Sequence, residues 1–128
     1  MILLLDTSTP TCKLTLVNGT EQFDTEWESG RELAKGLLGY IQSQLEIHNK
    51  TWNDLTGLAV FKGPGSFTGL RIGITVLNTV SYAEKIPIVG EIGDDWKAKA
   101  NIRLLNGESD VIVLPEYGGE ANITLPRK

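Results

Sequence analysis

A glycine-rich stretch in the middle of the chain has the residue types of a phosphate-binding loop. Residues 61–75 read FKGPGSFTGLRIGIT and stand directly before an apolar helical pattern. Backbone N–H groups at a helix N-terminus attract anions, and glycines allow a ligand to approach the backbone closely. A second polar stretch, Asp6-Thr7-Ser8-Thr9, follows the apolar run ILLL. The candidates for a nucleotide site are therefore Asp6, Thr7, Gly63 and Gly65.

Neither stretch matches a nucleotide-binding fingerprint. The Walker pattern G-x-x-x-x-G-K-[ST] fails because Thr68 or Leu70 stands where its second glycine belongs. The dinucleotide pattern fails because Thr68 replaces its third glycine. We therefore interpret the loop as the start of a helix and Asp6 as the cap of a turn, and we expect no cofactor.

Few side chains are available for other kinds of catalysis. A two-metal nuclease needs several carboxylates; Asp6 and Glu32 could supply two, but Phe61 and Lys62 stand where a third belongs. The chain has one histidine, His48, and one cysteine, Cys12. Metal clusters and nucleophile–histidine pairs need more such groups. We expect neither catalytic residues nor a metal site.

The length and composition indicate one domain that does not bind nucleic acid directly. The net charge is −4 over 128 residues, whereas chains that neutralise many phosphates usually carry net positive charge. A single cysteine excludes an internal disulfide and fits a reducing compartment. No run reaches the roughly 20 apolar residues of a membrane helix, and MILLLDTS is too short for a signal peptide. We expect a cytoplasmic protein that contacts no membrane.

Apolar patterning predicts a mixed α/β sheet in the order β-β-β-α-β-α-β. The predicted strands are residues 2–5, 12–17, 22–27, 57–63 and 86–90, and the second helix covers 66–84. Asn18-Gly19 predicts a type I′ turn, and Ser29 with Glu32 predicts a capping box for the first helix. After Gly93 the patterns weaken to a helix at 97–105, a strand at 110–114 and an irregular tail from 115.

The second helix is apolar over too wide an arc for contact with a sheet alone. Leu70, Ile74 and Leu77 lie on one side, and Ile72, Val76, Val80 and Ala83 lie on another, with Gly69 and Gly73 between. Together they span about 200°. This arc favours burial against a second helix or a partner protein. In the first helix, Gly36 and Gly39 are either tolerated or mark the close approach of another helix.

Three stretches resemble the bacterial TsaB (YeaZ) family: ILLLDTST, SGRELAKGLLGYI and, above all, GPGSFTGLRIG. The resemblance covers roughly residues 2 to 90. It implies an actin-like, RNase-H-like lobe at 1–93 and a reduced C-terminal segment at 94–128 packing on it, where typical members carry a full second lobe. It also implies a non-catalytic subunit that binds and activates TsaD, which transfers threonylcarbamoyl to the adenosine beside the anticodon of tRNA. TsaE joins the assembly, homodimers form, and tRNA is reached only through the complex.

The resemblance places the TsaD contact on the first two helices. The implied interface residues are Leu33, Leu37, Tyr40, Gly69, Arg71, Ile72, Gly73, Val76 and Val80. On this interpretation Gly73→Leu or Val76→Glu should abolish complex formation and leave the sheet folded. Since the implied surface lies on the first lobe, TsaD binding should survive the reduction of the second.

Two alternatives stay open from the sequence. The chain could be an independent nucleotide-binding phosphotransferase that uses Asp6 and the Gly63–Gly65 loop, which tight binding of ATP would favour. It could also be a stand-alone homodimer of structural role, which indifference to TsaD would favour. The apolar helix pair and the lack of a catalytic set favour the scaffolding subunit.

Overall fold

A computed structural model describes residues 1–116 of the chain, which form one five-stranded sheet with helices on both faces. The strands are β1 Ile2–Asp6, β2 Thr11–Asn18, β3 Glu21–Glu28, β4 Gly57–Phe61 and β5 Ile88–Glu91. The helices are α1 Leu33–Ile47, α2 Phe67–Glu84 and α3 Trp96–Leu105. The predicted mixed α/β class and the order β-β-β-α-β-α-β are confirmed.

The sheet has the strand order β3-β2-β1-β4-β5. The strands β1, β2 and β3 form an antiparallel meander, with Leu3 of β1 opposite Leu16 of β2. On its other side β1 runs parallel to β4, which runs parallel to β5. Crossovers through α1 and α2 make these parallel pairings possible. The central position of β1 explains why its ILLL run is apolar on both faces.

The two faces of the sheet are covered by different helices. On one face α1 and α2 pack over Leu3, Leu5 and Leu58, all fully buried. On the other face α3 places Trp96 and Ala100 over a smaller cluster that includes Leu4 and Val89. Burying each leucine contributes roughly 1.5–3 kcal/mol to the stability of the fold. The helices α1 and α2 thus form one layer on the same face of the sheet.

The β2–β3 hairpin turns one residue later than the sequence predicted. Asn18 pairs with Glu21, so the two loop residues are Gly19 and Thr20. Gly19 has φ +68°, and Thr20 is not among the residues with positive φ. A positive φ at the first central position alone is the requirement of a type II′ turn, which places Gly there. The type I′ prediction for Asn18-Gly19 was wrong.

The predicted capping box at the start of α1 does not form. Ser29 is buried and its Oγ donates a hydrogen bond to the Pro10 carbonyl at 3.1 Å. Its backbone N–H donates to the same carbonyl, which ties this segment to the β1–β2 turn. A one-turn 3-10 helix, Gly30–Glu32, precedes α1 instead. A capping box occurs at Thr51 and Asp54, a pair that the sequence analysis did not single out.

Residues 110–114 run beside β5 but form no strand, contrary to prediction. One backbone bond remains, from the Asp110 N–H to the Ile88 carbonyl. The neighbouring β5 amides are satisfied by side chains, since Ile88 donates to Ser109 Oγ and Gly90 donates to Asp110 Oδ2. Val111 then adopts φ +67°, which an extended strand does not allow. Side-chain acceptors thus replace the backbone ladder at the sheet edge.

Arg103 of α3 holds this edge segment in place. Its guanidinium donates to Glu91, Glu108 and Asp110, and hydrogen bonds to Asp110 and Glu108 raise the pKa of Arg103 above its ordinary value. Burial alone would raise the pKa of Asp110, but hydrogen bonds from Arg103 and Gly90 outweigh it and lower that pKa. Asp110 consequently stays ionised and keeps residues 108–116 against β5.

The predicted division into a lobe at 1–93 and a segment at 94–128 stays a prediction. The predicted helix at 97–105 is confirmed as α3, which contacts β4 and β5. Most of the predicted irregular tail lies outside the described residues. In residues 1–116 no helix is long and apolar enough to cross a bilayer.

The Cys12 thiol is expected to be inert in the folded chain. Its side chain is fully buried, and burial together with the nearby Asp6 carboxylate raises the pKa of the thiol to about 12. Because thiolate is the nucleophile, an aromatic disulfide reagent at about pH 8 should label the chain only as fast as it unfolds. The raised pKa also means that stability is retained below about pH 9 and falls as the unfolded thiol ionises above it.

Urea-unfolded protein provides the positive control for the thiol assay, and Cys12→Ala provides the blank. Stoichiometric labelling of the folded chain within seconds would contradict this placement of Cys12.

Candidate protein interface

The four nucleotide-site candidates do come together at the end of β1. The Ser8 N–H donates to Asp6 Oδ1 at 2.8 Å, which makes Asp6 the cap of a turn. The Ser66 N–H donates to the Ser8 carbonyl at 2.8 Å and fastens the glycine-rich loop to that turn. Asp6, Thr7, Gly63 and Gly65 therefore belong to one structural junction.

The glycines of this junction are in contact with the chain itself. A Cβ added to Gly63 would lie 2.2 Å from the Glu116 carbonyl oxygen, and Gly63 has φ +115°. A Cβ added to Gly65 would lie 2.5 Å from Ser8 Cβ. Glycine is needed at both positions because the loop packs against neighbouring segments. The side of each glycine toward which a Cβ would point is therefore occupied by the chain itself.

The hydroxyls at the junction are engaged in internal hydrogen bonds. Ser66 caps α2, since its Oγ accepts from the Gly69 N–H at 3.2 Å. Thr7 is 1% exposed, and its Oγ1 donates to the Gly69 carbonyl at 2.7 Å. Over residues 1–116, no group of three or more His, Cys, Asp or Glu side chains could hold a metal ion. The junction thus fixes α2 on the end of β1.

The glycines of α2 explain how closely that helix approaches the sheet. A Cβ on Gly69 would lie 2.2 Å from the Thr7 carbonyl oxygen, and a Cβ on Gly73 would lie 2.2 Å from Thr7 Oγ1. These glycines face the chain's own β1, not a partner helix. The expectation that Gly73→Leu would leave the sheet folded is therefore wrong, because the larger side chain would displace α2 from β1.

The two glycines of α1 have different surroundings. A Cβ on Gly36 would lie 2.8 Å from the ring of Trp27, so this glycine admits an aromatic side chain of β3. Around Gly39 no atom lies within 4 Å of an added Cβ. Gly36 is therefore a packing glycine, whereas Gly39 is only tolerated.

The structure divides the predicted interface residues between the core and the surface. Leu33, Leu37 and Val80 are buried in the main core, as are Gly69 and Gly73. Tyr40 is half-buried, stacks on Trp27 and shares a 2.7 Å hydrogen bond with Thr25. Burial raises its pKa despite that bond. Arg71, Ile72 and Val76 remain on the outer surface of the helix layer.

An open apolar groove runs between α1 and α2 on this outer surface. One part, about 320 Å³, is lined by Ala34, Thr68, Arg71, Ile72, Thr75 and Val76. A second part, about 310 Å³, is lined by Leu38, Trp52, Thr75, Val76, Thr79, Val80, Ala83 and Glu84. Because both parts share Thr75 and Val76, we treat them as one two-helix groove. It explains the over-wide apolar arc of α2, since Ile72 and Val76 face the groove and Leu70, Ile74 and Leu77 face the sheet.

Several groove residues escaped the sequence analysis. Leu38 is half exposed, and with Ala34 it forms an i, i+4 pair on the flank of α1 that faces α2. The spacing of Ala34 and Leu38 is present in the sequence, but the stronger apolar stripe of Leu33, Leu37 and Ile41 was taken as the only apolar face of the helix. Trp52 reaches the groove from the connection between α1 and β4. No local periodicity could have placed it there.

Comparison with known proteins gives concordant matches for this fold. The model of the family described as "TsaD: tRNA N6-adenosine threonylcarbamoyltransferase" matches residues 28–92, just over half of the chain. The matched range holds α1, β4, α2 and β5. The structure of YeaZ from Pseudomonas aeruginosa aligns with a TM-score of 0.67 and 28% identity over 71% of this chain and 43% of its own. The fold is thus of the actin-like, RNase-H-like type that YeaZ adopts.

Curated relatives carry the same name. The TsaB protein of Escherichia coli is 36% identical over 90 residues, which cover 70% of this chain and 38% of the relative. The TsaB protein of Haemophilus influenzae is 31% identical over 113 residues, covering 88% and 48%. The chain thus spans less than half the length of these relatives. Together with the family model and the YeaZ structure, these similarities show that the chain belongs to the TsaB (YeaZ) family.

Proposed function

We propose that this chain is a non-catalytic subunit in the biosynthesis of threonylcarbamoyladenosine in tRNA, and that it binds a TsaD-type threonylcarbamoyltransferase. The observation that carries the proposal is the two-helix groove. Its half-buried apolar side chains, Ile72 and Val76, lie beside the half-exposed Leu38 and have no cover from residues 1–116. An apolar groove of this kind is typical of a protein-binding surface.

The geometry of the β1–loop junction supports a non-catalytic role. The hydroxyl groups of Thr7 and Ser66 both form hydrogen bonds with the backbone of Gly69. Gly63 and Gly65 pack against Glu116 and Ser8, so contacts within the chain account for both glycines. The side chains that a phosphotransferase would use are instead structural in this chain. The independent nucleotide-binding alternative would need an anion site at the start of α2, and tight binding of ATP by the isolated chain would favour it.

The wider assembly is part of the same proposal. Relatives of this chain are named for tRNA threonylcarbamoyladenosine biosynthesis, so we propose that TsaE joins the complex and that tRNA is reached through the transferase. The net charge of −4 supports indirect contact with tRNA. We also propose that the chain is cytoplasmic, where tRNA is modified. We propose that the free chain can form a homodimer through the α1–α2 layer.

Depletion in the native organism tests the function. We expect the fraction of threonylcarbamoyladenosine in total tRNA, measured by mass spectrometry of nucleosides, to fall when the chain is depleted and to recover when it is resupplied. The purified chain alone should modify no tRNA, whereas the purified transferase should gain activity on its addition. An unchanged nucleoside level after depletion would contradict the proposal.

A further inference from the structure

The two ends of the two-helix groove carry charges of opposite sign. Arg71 lines the part of the groove near the start of α2, and Glu84 lines the part at its end. Of the ion pairs formed by residues 1–116, none includes either side chain. The Arg71 guanidinium lies 5.4 Å from the Phe67 ring centroid, a contact that leaves its hydrogen-bond donors available.

A second arginine strengthens the positive end. Arg31 lines an adjoining cavity of about 350 Å³, which shares Thr68 and Ile72 with the Arg71 part of the groove. The lining side chains of these two cavities include no Asp or Glu. Arg31 likewise takes part in none of the ion pairs found in the described residues. Two cations without carboxylate partners therefore stand at one end of an apolar groove.

At the other end of the groove, the negative charge of Glu84 lies at the C-terminus of α2, where the helix dipole is also negative. Glu84 is the last residue of α2, and the last turn of this helix contains no basic residue. Carboxylates are disfavoured at helix C-termini because the last carbonyl groups carry partial negative charge. The adjacent cation, the C-cap residue Lys85, lines a different cavity, so a cation contributed by another molecule would compensate Glu84 inside the groove.

We propose that the groove receives a helix of the transferase with carboxylates at one end and a cation at the other. This inference rests on the proposed function and adds the orientation of the partner to it. The carboxylates face Arg31 and Arg71, the cation faces Glu84, and an apolar stripe between them contacts Ile72 and Val76. Residues 71 and 84 of one helix are separated by about 20 Å at about 1.5 Å per residue, so the partner's charges need that spacing.

Complementary charges of this kind set direction as well as affinity. A helix inserted the other way round would place its cation beside two arginines and its carboxylates beside Glu84. Like charges brought together in a partly desolvated groove oppose binding, so the reversed orientation is excluded. The transferase would thereby dock in one direction on an otherwise uniform apolar surface.

Charge reversal tests the orientation. We expect Arg71→Glu and Glu84→Lys each to weaken transferase binding about tenfold at about 50 mM NaCl and by much less at about 500 mM, because salt screens exposed charges. Lys13→Glu is the matched control. Lys13 is an exposed residue of β2 that alternates with the buried Cys12 and Leu14, so it projects from the opposite face of the sheet. Its reversal should leave the affinity unchanged.

The outcomes separate this inference from the proposed function. If Val76→Glu abolishes binding while Arg71→Glu and Glu84→Lys bind like the wild-type chain, the charged ends are refuted and the proposed function stands. If the wild-type chain does not bind the transferase, the proposed function fails and the inference fails with it. If the reversals dissociate a homodimer but leave transferase affinity unchanged, the occupant is a second copy and the inference is overturned.

Discussion

Gly73→Ala is expected to destabilise the fold by about 3 kcal/mol, through overpacking and the loss of a buried hydrogen bond. The added Cβ would lie 2.2 Å from Thr7 Oγ1. Either α2 moves away from β1 or Thr7 rotates and releases its bond to the Gly69 carbonyl. Both responses disturb a region where Thr7 is almost fully buried. Urea unfolding followed by circular dichroism measures the change.

Gly39→Ala is the matched control for this prediction. Both glycines are helical, but around Gly39 the space next to an added Cβ is empty within 4 Å. Alanine lowers the backbone entropy of the unfolded chain and is the better helix former, so this variant should gain up to about 1 kcal/mol. Equal effects of the two substitutions would contradict the close approach of α2 to β1.

Val76→Glu is expected to weaken transferase binding at least about 100-fold. Val76 lines both parts of the two-helix groove and is half-buried in the free chain. A carboxylate there would lose its water on complex formation and meet apolar side chains, and an unpaired buried charge costs several kcal/mol. Val76 also packs against the edge of the core in the free chain, so the variant should lose about 1 kcal/mol of stability and remain folded. Titration calorimetry with the purified transferase measures the affinity.

Ile102→Glu is the corresponding control on α3. Ile102 is 59% exposed and lies on the helix that covers the opposite face of the sheet. The substitution introduces the same carboxylate at a more exposed apolar position outside the groove, so it should leave transferase affinity within about twofold. Equal loss of affinity in both variants would show that the contact is not confined to the α1–α2 face.

Local patterns predicted most of the fold. The continuous apolar run of β1 indicated a central strand buried on both faces, and the alternation in β2 indicated a strand with one mostly buried face. The predicted start of the second helix at residue 66 lies within one residue of the observed start at Phe67, and Ser66 caps the helix by accepting from the Gly69 N–H. Each of these inferences depends only on residues that are close to one another in the sequence.

The errors arose where distant segments decide the local structure. Ser29 has the spacing of a capping box with Glu32, but Pro10 takes its hydroxyl hydrogen. Residues 110–114 have the composition of a strand, but Ser109 and Asp110 occupy the β5 edge with side-chain oxygens. Competing hydrogen bonds of this kind cannot be read from periodicity.

The interface shows the same limit. The width of the apolar arc on α2 predicted an exposed apolar surface, and the groove provides one. The arc could not separate Gly69 and Gly73, which contact Thr7, from Ile72 and Val76, which face the groove. Nor could it add Leu38 of α1 or Trp52, since their positions depend on how the two helices pack. The groove shares Arg71, Ile72, Val76 and Val80 with the predicted residue set and adds exposed residues of both helices and Trp52.

Light scattering coupled to size-exclusion chromatography shows directly whether the two-helix groove binds the transferase. The chain is run alone and after mixing with a TsaD-type transferase from the same organism, beside the Val76→Glu and Ile102→Glu variants. We expect a peak with the summed mass of one chain and one transferase for the wild type and Ile102→Glu, and separate peaks for Val76→Glu. Separate peaks for the wild-type chain would contradict the claim that the two-helix groove binds the transferase.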